Sequence, residues 1–135
     1  MSQLKIHIIL CLLLLSFSQV HSQLNETVKG KINIQESDNL ILIKAQVENE
    51  EPLFKSNLAY NLVALKKSAS GNYSSNRQEG EFSLNPEESK TVSEIRLNLN
   101  TDEELRIYLF VKQENILVSK DSVIILPQKQ TQKKV

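Results

Sequence analysis

Residues 104–112 read ELRIYLFVK, an alternation of side-chain types that is typical of a half-buried β-strand. Successive side chains of a strand point to opposite faces, so this stretch has two different sides. Its aliphatic side predicts contact with a hydrophobic core and consists of Leu105, Ile107, Leu109 and Val111. Its other side places two aromatic rings between two cations: Arg106, Tyr108, Phe110 and Lys112. This stretch therefore predicts both a core strand and an unusual outer face.

The same period of two continues along most of the chain, with β-branched and aromatic residues in the runs. We expect seven strands, at 27–35, 39–47, 57–67, 77–84, 91–99, 104–112 and 116–126. The run 57–67 is apolar on both faces, which is typical of a central strand, whereas the polar run 77–84 fits an edge. No segment combines length with apolar residues at helical spacing. The sequence therefore predicts an all-β sandwich or small barrel.

Short segments with turn-forming residues separate the runs. Gly71 in SASGN (68–72) suits a hairpin turn, and Pro52 in EEPLF (50–54) ends a strand. In NPEE (85–88), Pro86 fits the second position of a type I turn. Such regular interruptions favour a sandwich of short antiparallel strands.

The N-terminus has the features of a cleaved secretory signal peptide. Lys5 precedes the 12-residue apolar run IHIILCLLLLSF, and Val20 and Ser22 suit the cleavage site. The run is short for a membrane span, which needs about 20 residues. We expect a signal peptide over 1–22, a β-sandwich domain over 23–127 and a flexible basic tail over 128–135. After cleavage we expect no insertion into a membrane.

Cleavage at this point removes chemically important residues from the chain. Cys11, Met1, His7 and His21 all lie within 1–22, so the mature chain has no thiol and no imidazole. Disulfides, Cys/His zinc sites and Ser-His or Cys-His catalysis are therefore excluded. Lys5 leaves as well, so the 16 basic residues become 15 against 16 acidic ones, a net charge near −1. We expect neither an enzyme nor a cofactor, and this balance gives no general attraction to nucleic acid.

Two kinds of candidate site remain. The carboxylate pairs Glu87–Glu88 and Glu103–Glu104 lie at predicted turns, where we expect solvated charges rather than an acid/base pair. On 104–112, the aromatic side is either covered by the tail or a neighbouring side chain, or it is a binding surface. Both alternatives stay open at this point.

The stretch GNYSSNRQEGEFSLNPEE (71–88) resembles the curli amyloid-inhibitor family, the CsgC/CsgH-like periplasmic chaperones. A glycine turn leads into a serine-rich strand with a Gln-Gly pattern and an apolar residue, and the matching positions are Gly71, Ser74, Ser75, Gln78, Gly80, Phe82 and Leu84. The resemblance continues through SEIRLNLNTDEELRIYLFVKQENILVSKDSVIILP (93–127) and covers roughly residues 39–127. The order of strands and turns carries it.

This resemblance implies a seven-stranded immunoglobulin-like β-sandwich. It also implies a monomeric periplasmic chaperone that inhibits premature amyloid nucleation of a curli-type secreted subunit, its protein client. Inhibition in the family is described as guided by a basic surface. The candidate client-binding residues are those on the outer side of 104–112, Arg106, Tyr108, Phe110 and Lys112, together with the cations beside the 68–72 turn, Lys66, Lys67 and Arg77. The alternative is a non-catalytic immunoglobulin-like adhesion or assembly module of a surface appendage.

Overall fold

The computed structural model describes residues 27–128, which contain seven β-strands and no helix. The strands are Val28–Ser37 (β1), Leu40–Asn49 (β2), Lys55–Lys67 (β3), Tyr73–Leu84 (β4), Ser89–Asn98 (β5), Glu104–Gln113 (β6) and Ile116–Ile125 (β7). The prediction of seven strands is confirmed, although β4 begins earlier than expected. The predicted signal peptide over 1–22 and residues 129–135 of the predicted tail lie outside the described residues.

The strands form two antiparallel sheets packed face to face. One sheet has the order β1-β2-β5 and the other has the order β4-β3-β6-β7. β3 pairs with both β4 and β6, so it is central, and β4 is an edge strand, as its polar sequence predicted. The fold is therefore a seven-stranded immunoglobulin-like β-sandwich, and the predicted fold class is confirmed.

Alternating side chains from both sheets build the core between them. Ile41, Ile43, Ala45 and Val47 of β2 are buried in the same core cluster as the four aliphatic residues of β6, all of which are fully buried. β3 and β5 add Leu58, Leu62 and Ile95. Burial of these aliphatic side chains from water is the main force that holds the two sheets together.

Three of the four edge strands, β1, β5 and β7, have features that hinder pairing with a further strand. At the free edge of β1, the amides of Gly30 and Ile32 donate to the side chains of Ser119 (2.9 Å) and Asp121 (2.8 Å) on β7. β7 itself carries a bulge between the partners of Val111 and Lys112, and β5 carries one opposite Ala45 and Gln46. Bulges and side-chain caps of this kind prevent an edge from pairing with another strand.

Two turns owe their shape to residues with positive φ. Glu87 has φ 58°, so the turn Asn85–Glu88 has the left-handed third residue of a type II turn, and the predicted type I turn is wrong. Glu114 (φ 50°) and Asn115 (φ 65°) form the two-residue hairpin between β6 and β7. Two consecutive left-handed residues define the type I′ turn that suits the twist of a hairpin.

Buried Asn49 holds two connections together at one end of the sandwich. Its side-chain amide donates to the carbonyl oxygens of Leu53 (2.7 Å) and Asn85 (3.0 Å), and its carbonyl accepts from the backbone of Glu51 (3.1 Å). Asn49 is buried and these three bonds are partly buried, so they stabilise the loop at Pro52 and the turn at Pro86 as one unit.

Candidate functional site

The outer side of β6 carries the four residues that the sequence singled out. Tyr108 and Phe110 are half-buried and stacked, with ring centroids 6.5 Å apart and an angle of 13° between the rings. Arg106 and Lys112 are exposed at the two ends of this pair. We call the outer surface of the sheet β4-β3-β6-β7, on which these four residues lie, the aromatic face.

The neighbours come from β3 and β7 and lie directly opposite the rings. Tyr108 lies between Val63 and Ser122, whereas Phe110 lies between Asn61 and Lys120. These mostly small or polar neighbours cover the sides of the rings and leave both residues half-exposed. Coverage by neighbouring side chains, one of the two alternatives, is therefore partial.

Two shallow grooves flank the stacked rings. One has a volume of about 410 Å³ and runs along Phe110 and Lys112 towards Glu79 on β4. The other, of about 420 Å³, lies between the two rings and Lys120 on β7. Each groove thus combines an aromatic wall with a lysine and a carboxylate, Glu79 in the first and Asp121 in the second, an arrangement that suits an extended peptide with apolar and polar side chains.

The other three predicted client-binding residues, Lys66, Lys67 and Arg77, do not all lie on the same face. Lys67 and Arg77 lie on the aromatic face, because their cross-strand partners are outward-facing residues of β4 and β3. Lys66 points towards the other sheet, where its ammonium donates to the backbone of Asn98 (3.2 Å) and lies 3.7 Å from Glu103. Lys66 is therefore part of the contact between the sheets and does not join the aromatic face.

Charge on the aromatic face differs from that of the chain as a whole. Strand pairing places five cations and three carboxylates there: Lys67, Arg77, Arg106, Lys112 and Lys120, with Glu79, Glu81 and Glu104. The face thus has a formal charge of +2 on a chain with equal numbers of acidic and basic residues. This local excess of positive charge is an observation on the charges alone, and the role of the face in binding stays a prediction.

Arg106 has a carboxylate partner on its own strand. Its guanidinium donates to Glu104, and this hydrogen bond raises the pKa of Arg106 above its ordinary value. Arg106 is half-exposed and remains cationic, but part of its charge is neutralised by this neighbour. Lys112 and Lys120 form no ion pair within residues 27–128, so their charges are available to a partner.

The carboxylates of Glu103 and Glu104 do not face each other. Glu103 and Glu104 point to opposite sides of the chain, towards Lys66 and Arg106 respectively. Glu103 is buried and also accepts a hydrogen bond from the backbone of Asn100 (2.9 Å), so the expectation of a solvated charge is wrong there. Within residues 27–128, no group of three or more acidic, histidine or cysteine side chains is placed to hold a metal ion.

Sequence reasoning missed Glu79, Asn61 and Lys120, which line the two grooves. Alternation within each strand shows that these residues point outward. Their proximity to the rings depends on the strand order β4-β3-β6-β7, which alternation alone does not reveal.

No helix within residues 27–128 has the length and hydrophobicity to cross a bilayer.

Comparison with known proteins identifies solved structures with a similar fold. No protein-family model matches the sequence, and no curated protein matches it significantly. The structure is similar to the E. coli curli protein CsgC, with 17% identity over 70% of this chain and 96% of that chain, and a TM-score of 0.58. It is also similar to the solution structure of R. palustris CsgH, with 18% identity over 74% of this chain and 92% of that chain, and a TM-score of 0.53. The resemblance in sequence is thus confirmed at the level of the fold: this chain has the CsgC/CsgH-like β-sandwich.

Proposed function

We propose that this protein is a periplasmic chaperone that delays amyloid nucleation of a curli-type secreted subunit through transient contacts with its aromatic face. The observation that carries the proposal is the fold shared with the curli protein CsgC over 96% of that chain. In this proposal residues 1–22 are a signal peptide, 23–127 form the working domain and 128–135 form a tail. The domain acts as a binding protein and needs neither catalysis nor a cofactor.

The aromatic face has the chemistry that such binding requires. An amyloid nucleus grows when exposed β-segments pair and their side chains interdigitate. The stacked rings of Tyr108 and Phe110 offer a flat, half-exposed apolar surface that competes for those side chains. Grooves on either side provide space for an extended segment without deep burial. Such contacts are weak and short-lived, which suits an inhibitor of rare nuclei at low molar ratios.

The local excess of positive charge supports guidance of an acidic or polar client. Charges at the rim of a contact increase the rate of encounter more than they increase the affinity. This contribution decreases as salt screens the charges, since the Debye length is about 10 Å at 0.1 M ionic strength. Inhibition should therefore weaken when salt is added.

Fibrillation kinetics test the proposal directly. The chain 23–135 is added to a curli-type subunit, and a fluorescent amyloid dye reports the lag time. We expect a longer lag at well below one chaperone per subunit. If the lag stays unchanged even at equimolar protein, the chaperone function is wrong, and the assembly module of a surface appendage becomes the better explanation.

Paired charge reversals locate the binding surface. Arg106→Glu with Lys112→Glu alters two exposed cations on the aromatic face, and we expect most of the lag extension to be lost. Lys31→Glu with Arg96→Glu is the matched control, because it makes the same charge change at exposed residues of the other sheet. Each surface change should alter stability by no more than about 0.5 kcal/mol. Equal loss in both variants would show that net charge matters and that the aromatic face does not.

Lys67→Glu with Arg77→Glu tests the other side of the same face. If this variant loses inhibition while the Arg106/Lys112 variant keeps it, the client binds near β4. If both keep full inhibition, charge does not guide this protein.

A further inference from the structure

Among residues 27–128, the free edge of β4 is the one that neither side-chain caps nor bulges protect over most of its length. β4 pairs with β3 without a register break over ten residue pairs, from Leu58–Phe82 to Lys67–Tyr73. The other three edge strands of the described region are sealed by side chains or interrupted by bulges. An uninterrupted edge of this length can accept another strand, because its outward backbone N–H and C=O groups are regularly spaced.

Two side chains of β5 reach β4 within residues 27–128: Lys90 at the backbone of Ser83, and Ser93 at the side chain of Gln78. The ammonium of Lys90 donates to the carbonyl oxygen of Ser83 (2.9 Å), which blocks the end of β4. No side chain of the described residues makes a hydrogen bond to the backbone between Tyr73 and Phe82. The five residues from Tyr73 to Arg77 are all exposed, so the first half of the edge is open to solvent on both faces.

We propose that β4 pairs in antiparallel orientation with β4 of a second copy of this chain, in a register centred on Gln78. Arg77 of each copy then lies opposite Glu79 of the other, and the two-fold symmetry makes this pair twice. Both residues are exposed, and neither takes part in an ion pair within residues 27–128. Arg77 uses its Nε to contact Asn61 (3.2 Å), which leaves the other guanidinium donors for the partner.

The charges on β4 select this register over its neighbours. In a symmetric antiparallel pairing, side chains that point outward must lie opposite side chains that point outward. The two-fold axis therefore passes at the level of a residue and not between two residues. Centring on Arg77 places the two arginines opposite each other, and centring on Glu79 does the same with two glutamates. Like charges directly opposite each other destabilise a strand pair, whereas opposite charges stabilise it. The register centred on Gln78 is the arrangement of these three that avoids a like-charge pair.

The resulting dimer has one continuous sheet of eight strands. Because its two-fold axis is perpendicular to the sheet, the two aromatic faces lie on the same side. A single pair of strand edges buries less surface than the roughly 1,200–2,000 Å² of a stable interface, so we expect weak association. The expected monomer then dominates at low concentration and the dimer at high concentration. This inference does not depend on the proposed chaperone function.

Sedimentation velocity over a series of concentrations tests the pairing with the chain 23–135. For the unaltered chain, the average mass should rise from monomer towards dimer with concentration. Arg77→Glu alone and Glu79→Arg alone each place like charges opposite each other twice. Each variant should associate at least about tenfold more weakly, because both pairs change sign.

An equimolar mixture of these two variants provides the decisive measurement. One copy then carries two glutamates and the other two arginines, so both cross-strand pairs are opposite in charge again. We expect association in the mixture to return to that of the unaltered chain. Glu81→Arg is the control and should leave association unchanged, since Glu81 lies opposite Ser75 in this register.

Several outcomes overturn the inference, provided that circular dichroism shows each variant to be folded. A monomer at every concentration would leave the β4 edge to a strand of another protein. Association that resists both single reversals, or a mixture that stays monomeric, would place the contact elsewhere. Loss of association in the Glu81→Arg control would exclude the register centred on Gln78.

Discussion

At Gly30 the backbone of β1 passes close to the side chains of β6. A Cβ atom built at this residue would lie 2.9 Å from Cγ2 of Val111 and 3.1 Å from Cδ2 of Leu109. Both of these side chains are fully buried, so their movement is limited by the rest of the core. Glycine is therefore required here by the lack of space rather than by an unusual backbone conformation.

We expect Gly30→Ala to lower the free energy of unfolding by roughly 1–3 kcal/mol, the usual cost of an overpacked core. Equilibrium denaturation in urea measures this change. The adjacent Lys31→Ala is the control, since its side chain is exposed on the outer face and its loss should cost no more than about 0.5 kcal/mol. Equal stability of Gly30→Ala and the unaltered chain would mean that the core relaxes freely at this point.

At the scale of the element, β1 depends on β7 as well as on its partner β2. The side chains of Ser119 and Asp121 accept hydrogen bonds from two amides that no strand pairs. Lys120 lies between them in sequence and points to the opposite face, where it belongs to the aromatic face. Alternating residues of one short segment of β7 thus bind the edge of β1 on one side and contribute to the aromatic face on the other.

Replacing both Ser119 and Asp121 with alanine should expose the amides of Gly30 and Ile32 to water. We expect hydrogen exchange at these two amides to accelerate at least about tenfold, because local opening no longer requires these bonds to break. Nuclear magnetic resonance of the exchanging chain measures it residue by residue. Lys120→Ala is the control and should leave both amides protected. Unchanged exchange in the double variant would show that β1 is held by β2 alone.

Strand faces were predictable from the sequence, but neighbours between strands were not. Leu105, Ile107, Leu109 and Val111 are buried as the alternation predicted, because a strand with one apolar side has one favourable orientation. The separation of Lys66 from Lys67 also follows from alternation, although adjacency in sequence had placed them together. The position of Glu79 and Lys120 beside the rings required the strand order, which depends on contacts between distant parts of the chain.

For the whole molecule, stability comes from the two-sheet core and needs no covalent link. The single cysteine, Cys11, lies in the predicted signal peptide, so the chain 23–135 has no thiol to oxidise. We expect this chain to melt at the same temperature with and without a reductant, and to give a β-sheet circular dichroism spectrum. Either a shift of the melting temperature in reductant or a helical spectrum would contradict this.

The contact between the first and last strands also has a consequence for the kinetics of folding. Gly30 and Ser119 are 89 residues apart in the chain, as are Ile32 and Asp121. Ordering such a long loop costs entropy before any of its contacts form, and proteins rich in distant contacts fold slowly. A chain made from its N-terminus keeps an unprotected β1 edge until nearly all of its length has emerged. The sandwich is therefore completed last at the strand that is synthesised first.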